Sequence, residues 1–571
     1  MTIRILNLPM IAVYRIRRAT ILLAACTFVC ASSAGLGVNL TASTRLLDRT
    51  FGAGAGVVST AVTEADGAYS VEVQSDGKIL LAGACGRNGP GGFCILRYLS
   101  NGAVDSSFAI DGSSIVQVSN YLSYATSIAV FADDSFVVGG VCQTTGDPEL
   151  GNDFCFAQFD AHGQLDPTFG SNGKRVVKVG ATESRIYTIR IQPDGLILAA
   201  GSCGSYRETG CLIRLKRDGA LDTSFGANGV RSLANSRFDG QIAALVVEPG
   251  GKLIIAGGCY SAIFCMARLQ PNGNFDATFG VDGIVRTPAA VQSAINNIVF
   301  DAGGSIVVGG FCAAALGGEA NICVAKFSTF GVQDTTFGVS GIATVKFSTN
   351  NDGLIGLSIE PTGNLLLAAR CGTGGGFGGC VARLTPNGQL DASFEESGMY
   401  AFPLLGINDV LTAFAMQTNR KLIVAGQCCT SPTCDQIRFC AARLVRDLLA
   451  PSTCALNADA NDTLESSTDA LLILRYILGY RGDALTNGVL GSNPTRTGAT
   501  LETYLASLNF DADGDGQANA MTDGLLILRA MLGLSGDALT VGAVNTSSSN
   551  ARTAQQILTW IESTHGVACL P

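Results

Sequence analysis

The feature that most constrains this chain is a six-residue phrase that returns seven times. It first reads Leu47-Asp48-Arg49-Thr50-Phe51-Gly52, and its Phe recurs as Phe108, Phe169, Phe225, Phe279, Phe337 and Phe394. The gaps between successive Phe residues are 57, 61, 56, 54, 58 and 57. A period of that size means one supersecondary unit copied along the chain.

Each copy has the same internal order. A short β-type run follows the phrase, as in Lys174 to Val179, and a second follows it, as in Ile186 to Ile191. Next comes a turn, Gln192-Pro193-Asp194-Gly195, echoed by Gln74-Ser75-Asp76-Gly77 and Glu248-Pro249-Gly250-Gly251. Pro presets φ there and Gly permits a positive φ. A third run ends in Gly-x-Cys (Leu253 to Cys259), and a fourth opens on a second Cys (Cys265 to Leu269). A Pro271-Asn272-Gly273 turn then leads back to the phrase. Four short strands per copy and seven copies predict a mainly β chain, with a seven-bladed β-propeller of four-stranded antiparallel blades over residues 47–447. A single blade leaves both faces bare, so the copies must close into one domain. An open β-solenoid is the alternative, but its coils are usually much shorter.

The Leu-Asp-x-Thr-Phe-Gly phrase, the Gln-Pro-Asp-Gly turn and the Arg-Leu run before the next phrase resemble delta-60 repeats. That resemblance covers residues 47 to about 447. It implies a bacterial β-propeller and no single activity.

Eighteen of the 20 Cys lie beyond the first thirty residues. The third strands end in Cys85, Cys142, Cys203, Cys259, Cys312, Cys371 and Cys428, and the fourth strands open with Cys94, Cys155, Cys211, Cys265, Cys323, Cys380 and Cys440. Facing residues on adjacent strands sit at disulfide distance, so pairing within each hairpin is expected. Zinc is the alternative. However, the spacings vary from 6 to 13, whereas zinc ligands come in fours at tight spacing. Cys429 and Cys434 make an extra pair in the seventh hairpin, and Cys454 and Cys569 flank the last domain. Disulfides at this density imply an oxidising compartment.

The copies also serve as an internal comparison. Gly83, Gly140, Gly201, Gly257, Gly310 and Gly426 lie two residues before the Cys, with Ala369 in the sixth copy. They are expected where neighbouring blades approach closely. Arg97, Arg214, Arg268, Lys326, Arg383 and Arg443 lie three after the second Cys, with Gln158 in the second copy. A recurrent Arg–Asp pair with the phrase is expected, against two separate surface charges. Function belongs where copies differ. The loops between paired Cys vary most: Gln143 to Phe154 carries Asp147, Glu149 and Asp153, and Gly372 to Gly379 is glycine-rich. These loops and those between the first and second strands should share one face, which is the expected binding face for a protein or glycan.

The N-terminus reads as an export signal over residues 1–34. Arg15, Arg17 and Arg18 precede an apolar run from Ala19 to Val29, and Ser32-Ser33-Ala34 supplies a cleavage site. The run is too short to span a bilayer, so no transmembrane segment is expected after cleavage. Leu23-Ala24-Ala25-Cys26 offers the alternative of a lipoprotein at Cys26. Residues 35–46 read as a linker. The protein is therefore expected to be secreted or at the cell surface. A net charge of −9 argues against nucleic acid as a partner. Only His162 and His565 are present, which disfavours a Ser-His-Asp or Cys-His site. Gly374-x-Gly376-x-x-Gly379 matches a dinucleotide fingerprint in letters only, because no helix is expected after it.

Past a linker at 448–456 lies a second duplication, with a period of 54, over residues 457–569. Asn457, Asp459 and Asn461 correspond to Asp511, Asp513 and Asp515, and both copies continue into Thr-Asp-x-Leu-Leu-Ile-Leu-Arg. Oxygen donors on alternate residues of a sharply turning loop suit calcium. Asp511, Asp513, Asp515 and the carbonyl of Gln517 are the stronger set; Asn457, Asp459, Asn461 and Thr463 are the weaker. Arg481-Gly482-Asp483 has the twin Ser535-Gly536-Asp537 and reads as structural. The module resembles a type I dockerin, which implies two calcium ions, a small all-α fold and a cohesin-like or surface partner. The closing Asp469 and Asp523 fall at position thirteen rather than twelve, so their role as ligands is open. The expected function is an exported ligand- or partner-binding propeller with a calcium-dependent attachment tail, and not an enzyme. The alternative is a carbohydrate-active enzyme, which would need a blade-specific pair of carboxylates in the propeller channel.

Overall fold

The computed structural model of the chain describes residues 46–569, except 87–90, 146–150, 181–182, 205–208, 235, 260–262, 288–291, 316–317, 361, 374–375, 406–408, 418–420, 430–435, 445–453, 462–463, 492–493, 546–547, 549–550 and 566–568. The expected export signal with Cys26, the linker at 35–45, and Asp147, Glu149, Cys434 and Thr463 lie outside the described residues. The chain divides into two compact units, with the boundary near residue 445 and residues 393–396 grouped with the second unit.

The first unit contains seven four-stranded antiparallel sheets. The strand Asp66–Val73 pairs with Ile79–Cys85, then Gly92–Tyr98, then Ser113–Val116. The first strands of the seven sheets neighbour one another in a closed circuit, so they are the innermost, and the seventh (Val410–Met416) neighbours the first (Asp66–Val73). The outer strands are only three or four residues long, which blunts the exposed edges. Apolar clusters fill the spaces between blades. Leu80, Phe93 and Ile95 of the first blade pack with Ile128, Phe136 and Val138 of the second.

The sequence repeat and the blade are out of step by one strand. The first strand of each copy completes the preceding sheet, because it pairs across the phrase with the strand before it. The ring closes by the same offset: Val57–Thr60, near the N-terminus, is the outer strand beside Ile437–Leu444 of the last blade.

The phrase is the joint between blades. Its Asp accepts at Oδ1 from the backbone and hydroxyl two residues on, as Asp276 does from Thr278 N (3.2 Å) and Oγ1 (2.8 Å). Oδ2 faces the recurrent Arg: Arg97–Asp105 (2.9 Å), Arg214–Asp222 (2.7 Å), Arg268–Asp276 (2.8 Å), Arg383–Asp391 (2.8 Å) and Arg443–Asp48 (2.6 Å). The expected Arg–Asp pair therefore forms in five blades. The guanidinium lies over the phrase Phe, 4.9 Å from the Phe279 centroid for Arg268. It also reaches the next blade's turn, with Arg214 Nη1 donating to Pro271 O (2.6 Å) and Arg268 Nη1 to Thr329 O (2.6 Å). The phrase Gly adds a backbone bond to the same turn, as in Gly226 N to Asn272 O (2.9 Å). The Phe ring sits against that turn's glycine: a Cβ on Gly273 would meet Phe225 at 3.0 Å. His162 belongs to one such turn, its carbonyl accepting from Ala109 N.

Contrary to the expectation from sequence, the Gly-x-Cys glycines do not mark contacts between blades. Each innermost strand carries a β-bulge opposite them. The bulge turns a carbonyl of the same sheet across the position, so a Cβ on Gly83 would lie 1.8 Å from Gly67 O. All seven hairpin disulfides form within blades, over sequence separations of 6 to 13. Each is worth about 2–3 kcal/mol in the chain-entropy account. Cys429 is also disulfide-bonded.

In the second unit the described elements are helices: α1 (Asp469–Ile477), α2 (Asp483–Thr486), α3 (Gly498–Ala506), α4 (Leu525–Met531), α5 (Gly536–Thr540) and α6 (Ala554–His565), with a π-turn at Ala520–Gly524. Leu472, Leu501, Leu505, Leu526, Ile557 and Ile561 share one core. In each copy the helix Arg caps the following short helix, Arg475 on Leu485 O (3.2 Å) and Arg529 on Leu539 O (2.9 Å). A disulfide joins Cys454 to Cys569. Among the described residues no helix is long and apolar enough to cross a membrane.

Burial alone would raise the carboxyls of Asp48, Asp105, Asp222 and Asp276, but the phrase hydroxyls and the Arg charges hold them below the ordinary range. A folded value below the unfolded one gives stability that is complete above the unfolded value near 4 and lost as pH falls through the folded one. Urea midpoints of the propeller transition should hold steady down to about pH 5 and fall steeply below about pH 4. An unchanged midpoint at pH 3 would contradict the clamp. Separately, Cys454→Ser with Cys569→Ser opens a loop of 115 residues. Denaturant unfolding should show the second unit weakened by about 4–5 kcal/mol and the propeller transition unmoved.

Candidate functional sites

The second acidic loop turns through Gly514 and Gly516, both at positive φ (82° and 92°), which lets side chains two residues apart converge. Carboxylate oxygens of Asp511, Asp513 and Asp523 come within 4.8 Å of one another, with Asp513 and Asp523 fully buried. Asp523 Oδ1 accepts from Asp513 N (2.9 Å) and Oδ2 from Asn519 N (2.8 Å), so the closing carboxylate reaches back into the loop. Its position is explained by the π-turn, in which Gly524 N donates to Asn519 O (3.1 Å) and one extra residue is absorbed. Asp511 accepts from Gly514 N (2.9 Å) and Gly516 N (3.2 Å). Asp515, expected in the same set, is held away on Asn545 Nδ2 (2.8 Å). Gln517 places its backbone N on Asp515 Oδ1 (2.9 Å).

The first loop is built alike but with fewer charges. Asp469 Oδ1 accepts from Ala458 N (2.7 Å) and Oδ2 from Glu465 N (2.8 Å). Asp459 Oδ2 accepts from Gly491 N (2.7 Å) and, more loosely, Asn461 Nδ2 (3.3 Å). Asn457 Nδ2 donates to Asn461 O (2.8 Å), while its Oδ1 is buried and has no hydrogen-bond partner among the described residues. Burial pushes the Asp469 carboxyl up to about 6, with the Asp459 charge adding to the rise; burial and Asp513 raise Asp523 in the same way. Crowded, desolvated carboxylates of this kind suit a cation.

One part of both loops escaped sequence reading. Arg552 N donates to Asp513 O (2.8 Å) and its Nη1 to Ala512 O (3.1 Å), with the guanidinium 5.0 Å from the Trp560 ring centroid. Arg496 does the same for Asp459 O (2.8 Å) and Asn457 O (2.8 Å), lying 3.6 Å from the Tyr504 ring centroid. An Arg beside a Thr ahead of the second helix in both copies was the available signal.

In the propeller, the cysteine loops and the entries to the innermost strands lie on one face, as the bond from Gln143 N to Leu122 O (2.8 Å) shows. The innermost strands carry only two carboxylates, Asp66 and Glu72, both in the first blade. Asp66 is occupied by Val62 N (2.6 Å) and Thr63 N (2.7 Å). Burial raises Glu72, with Arg190 opposing the shift. A pair of carboxylates facing each other is therefore absent from these strands. Instead, Tyr69 and Tyr124 stand 6.2 Å apart, with Arg185 over Tyr124 (5.3 Å) and bonded to its hydroxyl. In the variable loops, Asp153 is buried and accepts from Thr144 Oγ1 (2.6 Å). Gly376 and Gly379 lie on a strand, so no helix follows the glycine fingerprint.

A family model, a domain of unknown function with β-propeller architecture (DUF5122), matches residues 74–108, 192–225, 249–279 and 360–394. These four segments contain Arg97, Arg214, Arg268 and Arg383, while the copies with Gln158 and Lys326 are not matched. No curated protein matches the chain. Similar solved structures include the virginiamycin B lyase of Staphylococcus aureus (12% identity, TM-score 0.38, covering 67% of this chain and 97% of that one). Others are Sqt1 of Chaetomium thermophilum bound to the N-terminus of ribosomal protein L10 (12%, 0.38, 67% and 98%) and the polysaccharide lyase Uly1 (11%, 0.39, 73% and 94%). At these scores the likenesses say nothing about activity. The chain is a disulfide-rich β-propeller protein.

Proposed function

We propose that this is an exported binding protein of the delta-60 repeat class, in which a disulfide-stapled propeller presents a ligand face and a dockerin-like module attaches it in a calcium-dependent way. Eight described disulfides support an oxidising, extracytoplasmic setting. The convergence of Asp511, Asp513 and Asp523 carries the calcium reading. Those three carboxylates would hold one ion with hard oxygen donors. Asn457, Asp459, Asn461 and Asp469 would hold a second, weaker ion. Asp515, on releasing Asn545, and the carbonyl of Gln517 would complete the ligands of the second loop. The attachment partner is a cohesin-like or surface protein. On the propeller, the variable cysteine loops and the Tyr69, Tyr124 and Arg185 group make a face suited to a protein or glycan partner.

Calorimetric calcium titration of the mature protein, with circular dichroism alongside, tests this reading. Two binding steps of unequal affinity are expected. Asp523→Asn should weaken the tighter by at least about tenfold. No binding, or a tight step that Asp523→Asn leaves intact, would remove the calcium module from the account.

A further inference from the structure

Six of the seven phrase carboxylates receive an N–H at Oδ2. Five take it from the recurrent Arg, and Asp166 takes it from the Gln158 amide (2.9 Å). In two of these blades a second cation arrives from the turn between the first two strands of the sheet. Lys252 Nζ lies 2.8 Å from Asp276 Oδ2, and Lys421 Nζ lies 3.2 Å from Asp48 Oδ2. The second blade, which lacks the Arg, receives an Arg from its neighbour at another turn: Arg217 of the third blade stacks on Phe131 (4.4 Å) and bonds to Asp133 and Ser135.

The fifth blade has neither device. Ser305 stands where Lys252 and Lys421 stand, and Lys326 replaces the Arg. The Lys326 ammonium is turned onto Asp301 Oδ2 (2.8 Å). Asp334 keeps its turn bonds at Oδ1, from Thr336 N (2.9 Å) and Oγ1 (2.6 Å). Among the described residues nothing donates to its Oδ2. A pocket of about 280 Å³ opens at this point, bounded by Ser305, Lys326, Ser328, Val332, Gln333 and Asp334. Asp334 is partly exposed, while Asp48 and Asp276 are each 2% exposed. Val332 at the rim is 65% exposed and Phe330, in the same turn, 62%.

We propose that this pocket binds an organic cation, an alkylammonium or alkylguanidinium group, with its N–H donors on Asp334 Oδ2 and its alkyl stem along Val332. The protein itself shows what fits: in the fourth and seventh blades a lysine ammonium and an arginine guanidinium fill the corresponding space. Asp301 holds the Lys326 ammonium, which leaves the Asp334 carboxylate of the pocket lining without a hydrogen-bonded cation among the described residues, and such a carboxylate draws one. The apolar rim suits the aliphatic stem of a lysine or arginine side chain. The reading is independent of the calcium module, since no residue is shared.

The test is calorimetric titration of the full mature protein with n-butylammonium and n-butylguanidinium, and with tetramethylammonium as a cation that lacks N–H donors. Saturable binding of one of the first two, and none of the third, is expected. Asp334→Asn keeps the Oδ1 acceptor and removes the charge. Ser305→Lys installs the cation that the fourth and seventh blades already carry. Both variants should weaken binding by about tenfold or more, and Ser305→Lys should also raise the melting temperature of the propeller. A second arm separates the sources of the cation. If an N-acetylated, amidated tetrapeptide with one central Lys or Arg binds tighter than the free amine or guanidinium, the pocket receives a side chain of a partner protein. Equal affinity assigns it to free amines. Absence of saturable binding, or binding unchanged in both variants, overturns the proposal.

Discussion

The structure of the propeller depends on one recurrent contact, an arginine held between a carboxylate and an aromatic ring of its own blade while it donates to the next. Removing an ion pair of this kind from water is costly unless every remaining donor is satisfied. Here Nε takes the phrase Asp, Nη1 takes a turn carbonyl of the neighbouring blade, and the guanidinium plane covers the Phe ring. The phrase is therefore a joint, and its recurrence every fifty-odd residues is the recurrence of interfaces. This explains why its parts are inseparable. The Asp needs Ser or Thr two residues on to fix its turn, and the Phe needs glycine in the opposing turn because a Cβ would collide with the ring. A joint also needs a partner at the end of the ring. Arg443 finds Asp48, 395 residues earlier in the chain.

How much of this was legible follows from what repetition encodes. Seven copies, four strands and hairpin disulfides could be read because each leaves a local mark: a turn, an apolar run, a Cys at a fixed offset. The one-strand offset between repeat and blade could not, because pairing across the phrase leaves no local mark. The offset of the Gly-x-Cys glycines marks a close approach, but not which neighbour makes it. The carbonyl that excludes a side chain at Gly83 comes from a bulge in the adjacent strand of the same sheet. At the acidic loops, alternating carboxylates marked the site. The π-turn that carries Asp523 into it, and the pull of Asn545 on Asp515, depend on residues distant in the pattern.

Departures from the repeat are where the chain becomes specific. Gln158 and Lys326 interrupt the joint in two blades, and the structure answers differently in each: Arg217 returns from the third blade to the second, whereas the fifth is left with a pocket. Among the innermost strands, Tyr69, Tyr124 and Arg185 gather in the first three blades. Each departure gives one blade or one joint a chemistry that the repeated parts of the ring lack.

The central claim is tested most directly at the closing joint, by a double-mutant cycle of Arg443→Ala and Asp48→Asn followed by equilibrium urea unfolding. Each single variant should be strongly destabilising, by about 3 kcal/mol for the loss of the arginine, because it strips buried Asp48 of its Nε donor and leaves only the longer Lys421 contact (3.2 Å) at Oδ2. The double variant should cost far less than the sum of the two, with a coupling of at least about 2 kcal/mol. Additive costs would contradict the account, because they would mean that the ring closes without this pair.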